Sequence, residues 1–378
     1  MKQQICSRCV MDTTDHEIIF NSNGVCNHCT DFDAITSKSW FPNQDGEKRL
    51  QNILTTVKKE GIKKEYDCII GLSGGVDSSY LSLILKKYNL RPLVVHIDAG
   101  WNTEIAVNNI EKIVKYCDYD LFTHVMDWEE IKDLQLAYLK AGIANQDVVQ
   151  DHAFFATLYH FAVKNNISYI ISGGNIATEA VFPGSWHHSA MDAINLKAIH
   201  KKFGSIPLKK YKTISFMKYY FYYPLIKKMK TIRPLNYLPY NRNKSIEILQ
   251  STVDYKEYGR KHGESRFTKF FQNYYLINKF GYDKRKPHLS SQILSGEISR
   301  EGALIELNKS LYDEKEIKED IEYIAKKLGL RIAELEHLIN EEGTHYSSFN
   351  NWDKYFNFVK KIQLFFENIL QKKVSNYS

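Results

Sequence analysis

No uninterrupted apolar run in the 378-residue chain approaches the roughly 20 residues that a membrane-spanning helix needs. The opening residues, "MKQQICSRCVMD", lack the apolar core of a secretory signal. Together these absences make a cytoplasmic location the expectation. Acidic residues are missing altogether between Ala193 and Ile246, where 13 Lys+Arg occur, so this one stretch holds more than the whole net charge of +7. Cysteine is sparse: of six, four lie in two C-x-x-C pairs. A disulfide pairing of those four is disfavoured in a cytoplasmic chain. What remains is ordinary. The length allows two or three domains, and 43% hydrophobic with 25% charged residues is the balance of a globular protein.

The paired cysteines are "CSRC" (Cys6, Cys9) and "CNHC" (Cys26, Cys29), spaced as in a zinc ribbon. Each pair can form a knuckle that turns two thiolates toward one tetrahedral metal. The intervening residues predict strand, turn, strand, with Glu17–Phe20 as a strand and Asn23-Gly24 as the turn. A unit this small cannot bury a sufficient core and needs the metal to hold it. Zinc is the favoured metal, and an iron–sulfur cluster uses the same ligands. His28 is surplus to a four-thiolate site.

In "YDCIIGLSGGVDSSYLSLILKKY" a short β-branched run, Asp67–Leu72, is followed by a glycine turn and a helical pattern, Ser78–Tyr88. Strand, glycine-rich turn and helix N-terminus build an anion site: glycine lets backbone N–H groups approach, and the helix end is electropositive. The lysine of a Walker A loop is missing, and so is G-x-G-x-x-G spacing. The turn instead resembles the S-G-G-x-D-S signature of the PP-loop ATP pyrophosphatase superfamily. That resemblance implies cleavage of ATP between its α and β phosphates, adenylylation of a carbonyl or carboxylate oxygen, and displacement of AMP by a nitrogen or sulfur nucleophile. It implies ATP and Mg2+ at Ser73, Gly74, Gly75, Asp77, Ser78 and Ser79, with Asp77 orienting magnesium or capping the helix.

Further strands are predicted in "RPLVVHIDAGWN", in Tyr119–Asp127 and in "NISYIISGGNIATEA". Ligands of open α/β sheets sit beyond the carboxyl ends of strands. His96 and Asp98 therefore face the adenosine, and Gly173, Gly174, Asn175 and Glu179 face the same crevice. A helix from about Gln146 brings Gln150 and His152 near it.

A sulfur-transferring enzyme commonly uses a reactive cysteine near the site, or else cluster-bound sulfide; of the cysteines only Cys68, inside a strand, and Cys117, at a helix end, remain. An internal glutaminase needs a cysteine at residue 2 or on an elbow turn; residue 2 is lysine and no G-x-C-x-G occurs. Ammonia, if used, comes from another subunit.

Three later stretches, "AVFPGSWHHSAMDAIN", "TIRPLNYLPYNRNKSIEIL" and "YGRKHGESRFTKFFQNYYLINKFGYDKRKPHLSSQILSGEISREGAL", combine with the double knuckle and "LSGGVDSS". Together they resemble the N-acetyl sugar amidotransferase family of bacterial surface-polysaccharide and nonulosonic-acid pathways, including lipopolysaccharide O-antigen synthesis. The resemblance implies conversion of a sugar N-acetyl group to acetamidino. It further implies an N-acetylated sugar as acceptor, nucleotide-linked (UDP or CMP) or free, and ammonia from a glutaminase subunit through a cyclase-like conduit subunit. On it, Lys261, His262, Glu264 and Arg266 become catalytic candidates beside Asp77, and Lys284, Arg285 and His288 substrate-binding candidates; His187 and His188 are weaker ones.

The expected architecture is an α/β PP-loop parallel sheet with helices on both faces, like the adenine nucleotide alpha hydrolases. The expected divisions are a four-cysteine zinc module (1–35), the ATP-binding domain (36–192), a basic aromatic segment (193–246) and a mainly helical C-terminal region (247–378). The basic segment reads as a partner-docking face or a lysine-rich arm over an aromatic core. A stable nucleic-acid complex is not expected, and Pro224 argues against a long interfacial membrane helix. The competing functions are a tRNA-thiolating PP-loop enzyme and a non-enzymatic zinc-and-nucleotide scaffold.

Overall fold

The computed structural model describes residues 4–258 and 263–370, with side chains up to residue 362. Five strands, β1 (Cys68–Gly71), β2 (Pro92–Asp98), β3 (Leu121–Val125), β4 (Tyr169–Ile171) and β5 (Lys230–Ile232), form one parallel sheet in the order β3-β2-β1-β4-β5. The chain builds outward from β1 through β2 to β3, then returns to the other side of β1 with β4. The order therefore reverses between β1 and β4, the place where open sheets leave a crevice.

The helices of the N-terminal half are α1 (Asn27–Ser39), α2 (Gln44–Gly61), α3 (Val76–Lys87), α4 (Glu104–Cys117), α5 (Trp128–Ala141), α6 (Val148–Lys164) and α7 (Ile176–Glu179). They are followed by α8 (Ala193–Phe203), α9 (Arg242–Val253), α10 (Arg266–Phe270), α11 (Leu276–Phe280) and α12 (Arg285–Leu294). The chain continues through α13 (Arg300–Leu307), α14 (Glu314–Leu328), α15 (Ile332–Asn340) and α16 (Asp353–Leu370).

Alternation along β1 sets the layers. Cys68, Ile70 and Leu72 join a core with Leu54 of α2, Leu81 and Leu85 of α3, Ile110 of α4 and Leu249 of α9. Ile69, with Val95 of β2, faces the opposite core, built from Ala156 and Leu158 of α6 and from Tyr223 and Trp352. Both faces of the sheet are thus covered, which is why its central strands read as continuous apolar runs. Helix starts follow their caps: Thr103 accepts from the Ala106 amide, Asn241 from Lys244 and Ser265 from Thr268. A third core joins α5, α8 and α10 to α11, α14 and α15.

Two expectations change. The strands expected between the cysteine pairs reduce to single antiparallel bridges, Ile5 with Asp12 around the first knuckle and Phe20 with Cys26 around the Asn21–Gly24 turn. The sheet does not end before residue 193: β5 comes from the basic segment and pairs with β4, while α9 packs on α3 in the core over the sheet. Pro224 lies inside a nine-residue π-helical stretch, Lys218–Ile226, where the Lys227 amide donates to the Tyr222 carbonyl, five residues back.

Candidate active site

The turn after β1 is held by its own side chains. The Ser73 amide donates to Ser78 Oγ at 3.4 Å, the Gly75 amide to Ser73 Oγ at 3.2 Å, and Ser78 Oγ to the Gly75 carbonyl at 3.2 Å. Gly74 has φ +82°, and a Cβ there would lie 2.5 Å from the Ala106 carbonyl oxygen, so no other residue fits. Gly75 caps α3 without any side-chain hydrogen bond, leaving the first amides of the helix directed at the crevice. Asp77 does not cap the helix; its Oδ1 accepts from the Tyr240 hydroxyl. Burial, with the neighbouring Asp77 charge, raises the Tyr240 phenol far above its ordinary value, so it stays a donor.

The second glycine turn, after β4, forms the facing wall. A Cβ on Gly173 would approach the Asp77 backbone to 3.0 Å, so the two turns pack directly together. Glu179 accepts the Asn175 amide at 3.3 Å, while Asn175 itself caps α7 through the Thr178 amide at 3.0 Å.

His96, at the end of β2, is buried, with Nδ1 2.9 Å from the Leu72 carbonyl and Nε2 3.0 Å from Asn102 Nδ2. Burial lowers its pKa, and the partners fit a neutral ring that donates from Nδ1 and accepts at Nε2. Asp98 braces the loop beyond it, accepting from the Gly100 amide at 2.7 Å and Asn102 at 3.1 Å.

These walls enclose one cavity of about 1350 Å³. Ser73, Gly75, Asp77, Ser78, His96, Gly173, Gly174 and Glu179 line it, and so do Glu264, Lys284 and His288 from the C-terminal region. Glu264 reaches the loop itself: its Oε1 would lie 3.1 Å from a Cβ on Gly75. The Lys284 ammonium stands 3.7 Å over the Phe182 ring. Beside it, burial and then the Lys284 charge push His187, also on the wall, down to about 3, so it is neutral. His188 instead pairs with Asp192 at 2.8 Å and stacks on Tyr346.

Other candidates point elsewhere. Arg266 turns to α14, with Nε 2.5 Å from Asp320 and its guanidinium over the Tyr323 ring. Arg285 pairs with Asp283 at 2.7 Å and caps α13 through the carbonyls of Glu306, Leu307 and Lys309. The Ser79 hydroxyl is fully buried inside α3, away from the crevice. His152 is buried between the Ala190 carbonyl and the Ile214 amide. Lys261 and His262 lie outside the described residues.

The structure adds residues that sequence reasoning passed over. Arg233 and Arg242 bring positive charge to the cavity. The hydroxyls of Tyr255, at 3.0 Å, and Tyr258 both donate to the Gly74 carbonyl and hold the loop from the C-terminal side. Thr268 Oγ1 donates to Asp147 at 2.9 Å, and Ser265 to Gln150 at 3.2 Å, tying α10 to the start of α6. Arg233 directly follows β5 and Arg242 opens α9, and neither position carries a motif. The tyrosines act across more than 180 positions of chain, a separation that carries no local signal.

The four cysteines of the knuckles are buried and their sulfurs converge: Cys6–Cys29 3.8 Å, Cys9–Cys26 3.6 Å and Cys26–Cys29 3.7 Å. These separations are far beyond the ~2.05 Å of a disulfide. Four thiolates at ~2.3 Å from one tetrahedral metal lie roughly 3.8 Å apart, so the residues fit a single ion. Amides of Arg8, Cys9 and Cys26 point at Cys6 Sγ, from 3.3 to 3.4 Å, as thiolate support. His28 turns away to Asp15, at 2.7 Å. Burial alone would raise the Asp15 carboxyl, yet hydrogen bonds from His28 and Ser185 bring it below its usual value. Arg300 bonds the Cys9 and Cys6 carbonyls at 3.0 and 2.9 Å, and Lys286 pairs with Asp12 at 2.5 Å, docking the module on α12 and α13.

Residues 264–363, which supply Glu264, Lys284 and His288 to the cavity, match the family described as LPS biosynthesis protein WbpG-like, C-terminal domain. The C-terminal region is therefore similar to WbpG-like proteins over those 100 residues. The chain is 32% identical over 129 residues to uncharacterized protein MJ1599 of Methanocaldococcus jannaschii, covering 33% of this chain and 44% of that one. It is 28% identical over 89 residues to tRNA(Ile)-lysidine synthase of Chlamydia trachomatis, covering 24% of this chain and 26% of the synthase. The chain thus spans less than half the length of these relatives. Among solved structures, NMN synthetase from Francisella tularensis superposes with a TM-score of 0.37 at 13% identity, over 80% of this chain and 97% of that one. U34-tRNA thiolase NcsA from Methanococcus maripaludis gives 0.34 at 14%, over 84% and 96%. No described helix is long and apolar enough to cross a membrane.

Proposed function

We propose that this protein is an ATP-dependent amidotransferase that converts the N-acetyl group of a sugar to an acetamidino group. The observation that carries this reading is the shared cavity. Its floor is the PP-loop, its far wall belongs to the WbpG-like domain, and about 1350 Å³ exceeds the roughly 300–1,000 Å³ of a single-ligand pocket. A nucleotide and a second substrate fit side by side.

In this reaction the amide oxygen attacks the α-phosphorus of ATP and pyrophosphate leaves. Ammonia then adds to the activated carbon, and AMP departs with the original oxygen. The amides of the Ser73–Ser78 turn and the N-terminus of α3 hold the pyrophosphate as charge builds on it, and Arg233 and Arg242 reinforce them. Magnesium, when bound, neutralises the phosphates, and Asp77 is the residue placed to orient it. Glu264, beside the loop, is the candidate to accept a proton from the incoming nitrogen. Lys284 faces the acceptor sugar. Ammonia is supplied by a separate glutaminase subunit. The four-cysteine module is structural and holds zinc, in keeping with the separation of its sulfurs.

A thiolating enzyme is less well supported. Cys68 and Cys117 are buried, desolvation raises both thiols, Cys117 to about 11, and neither lines the cavity. The test is pyrophosphate release from ATP in the presence of ammonium and N-acetylated nucleotide-sugars. Release should depend on the acceptor and fall at least about 100-fold in Asp77→Ala with the circular dichroism spectrum unchanged. Full activity in that variant would contradict the assignment of Asp77.

A further inference from the structure

The π-helical stretch Lys218–Ile226 has two faces. Tyr219, Tyr223 and Pro224 line the large cavity, and Tyr219, Tyr220 and Phe216 pack on Trp352. The other face is open to solvent. Met217, Leu225 and Ile226 are 62%, 63% and 69% exposed, and with Phe221 and His160 they rim an apolar groove of about 470 Å³. Exposed Lys212, Lys218, Lys227 and Lys228 surround them, and none pairs with a carboxylate among the described residues. On the first face, Tyr355 and Phe356 in the first turn of α16, both exposed, pack on Phe216 and Tyr220.

We infer that this face docks on an anionic phospholipid surface, with Met217, Leu225 and Ile226 entering the headgroup–acyl boundary and the four lysines meeting lipid phosphates.

The side chains between the lysines decide the occupant. Their outermost members are aliphatic, whereas of the aromatic rings of the stretch Tyr219, Tyr220 and Tyr223 turn inward, Phe221 is half-buried at the groove and Tyr222 alone is exposed. Single-stranded nucleic acid would call for a row of outward rings on which bases stack. A protein partner would call for an interface core poor in lysine. Aliphatic tips within a ring of unpaired lysines match an interfacial lipid anchor. Docking in this way sets one wall of the active-site cavity beside the membrane surface.

Flotation with vesicles tests the inference on the intact chain, independently of any turnover. The wild-type protein should float with phosphatidylcholine vesicles containing about 30% phosphatidylglycerol and stay behind with phosphatidylcholine alone. Lys227→Glu/Lys228→Glu should weaken binding at least about 25-fold, roughly fivefold per lysine removed. Leu225→Ser/Ile226→Ser should weaken it about tenfold or more, because apolar burial is lost while charge is kept. Both pairs are exposed and outside the cavity lining, so folding is checked by unchanged circular dichroism. Failure of the wild-type protein to float with anionic vesicles would overturn the inference. So would equal binding to neutral vesicles, or wild-type binding by Leu225→Ser/Ile226→Ser. Tighter binding to a single-stranded oligonucleotide than to the vesicles would overturn it too and assign the patch to nucleic acid instead.

Discussion

The loop that carries the chemistry depends on a few atoms. Gly74 is in the left-handed region against the Ala106 carbonyl. Gly74→Ala should cost about 1–2 kcal/mol from φ alone, and more from the clash. Urea unfolding should show the loss, and nucleotide binding should weaken with it. Such residues were legible because their chemistry is local: the Ser-Gly-Gly-Val-Asp-Ser order is itself the turn. Guanidinium groups are not legible in this way. Arg266 and Arg285 stand in a stretch rich in His, Glu and Lys and read as site residues, yet one serves Asp320 and the other Asp283 and a helix end. Only the fold says which carboxylate an arginine meets. The tyrosine hydroxyls on Asp77 and Gly74 escaped for the converse reason, since nothing near Tyr240, Tyr255 or Tyr258 announces a partner so far back in the chain.

At the scale of elements, α6 carries a pH-dependent load. His152 sits with Nδ1 2.7 Å from the Ala190 carbonyl and Nε2 3.1 Å from the Ile214 amide, so a neutral ring satisfies both neighbours. Burial lowers its pKa to about 4. An unfolded histidine binds its proton below ~6.5, whereas the folded one does not until about 4. Stability contributed by the neutral ring is therefore complete above 6.5 and falls as pH drops through that window, by roughly 1.4 kcal/mol per unit at most. Urea midpoints at pH 7 and 5 should show this slope, and His152→Gln should flatten it; an unaltered slope would contradict the role. Elements with strong periodicity, β1, β2, α3 and α14, were evident from pattern. The edge strand β5 was not, because Lys230–Ile232 is three residues long and mostly exposed, and its pairing with β4 makes it a strand.

For the whole molecule, the structure ties three parts to one cavity. The cysteine module reaches the WbpG-like domain through Arg300 and Lys286, and that domain closes over the PP-loop through Glu264 and Lys284. Removing the metal with a chelator should raise hydrogen exchange throughout residues 4–35 and loosen α12 and α13, because the small module has little core of its own. Arg300→Ala should destabilise the same contact by about 2 kcal/mol, read as earlier metal release during urea unfolding. The central claim is the reaction, and mass spectrometry of acceptor turnover tests it most directly. Protein, ATP, magnesium and ammonium would be incubated with a panel of N-acetylated nucleotide-sugars and, separately, with bulk tRNA and a sulfur donor. The expected result is a sugar product lighter by about one mass unit, as NH replaces oxygen, formed together with AMP. An unchanged sugar beside an ATP-dependent change in a tRNA nucleoside would contradict it.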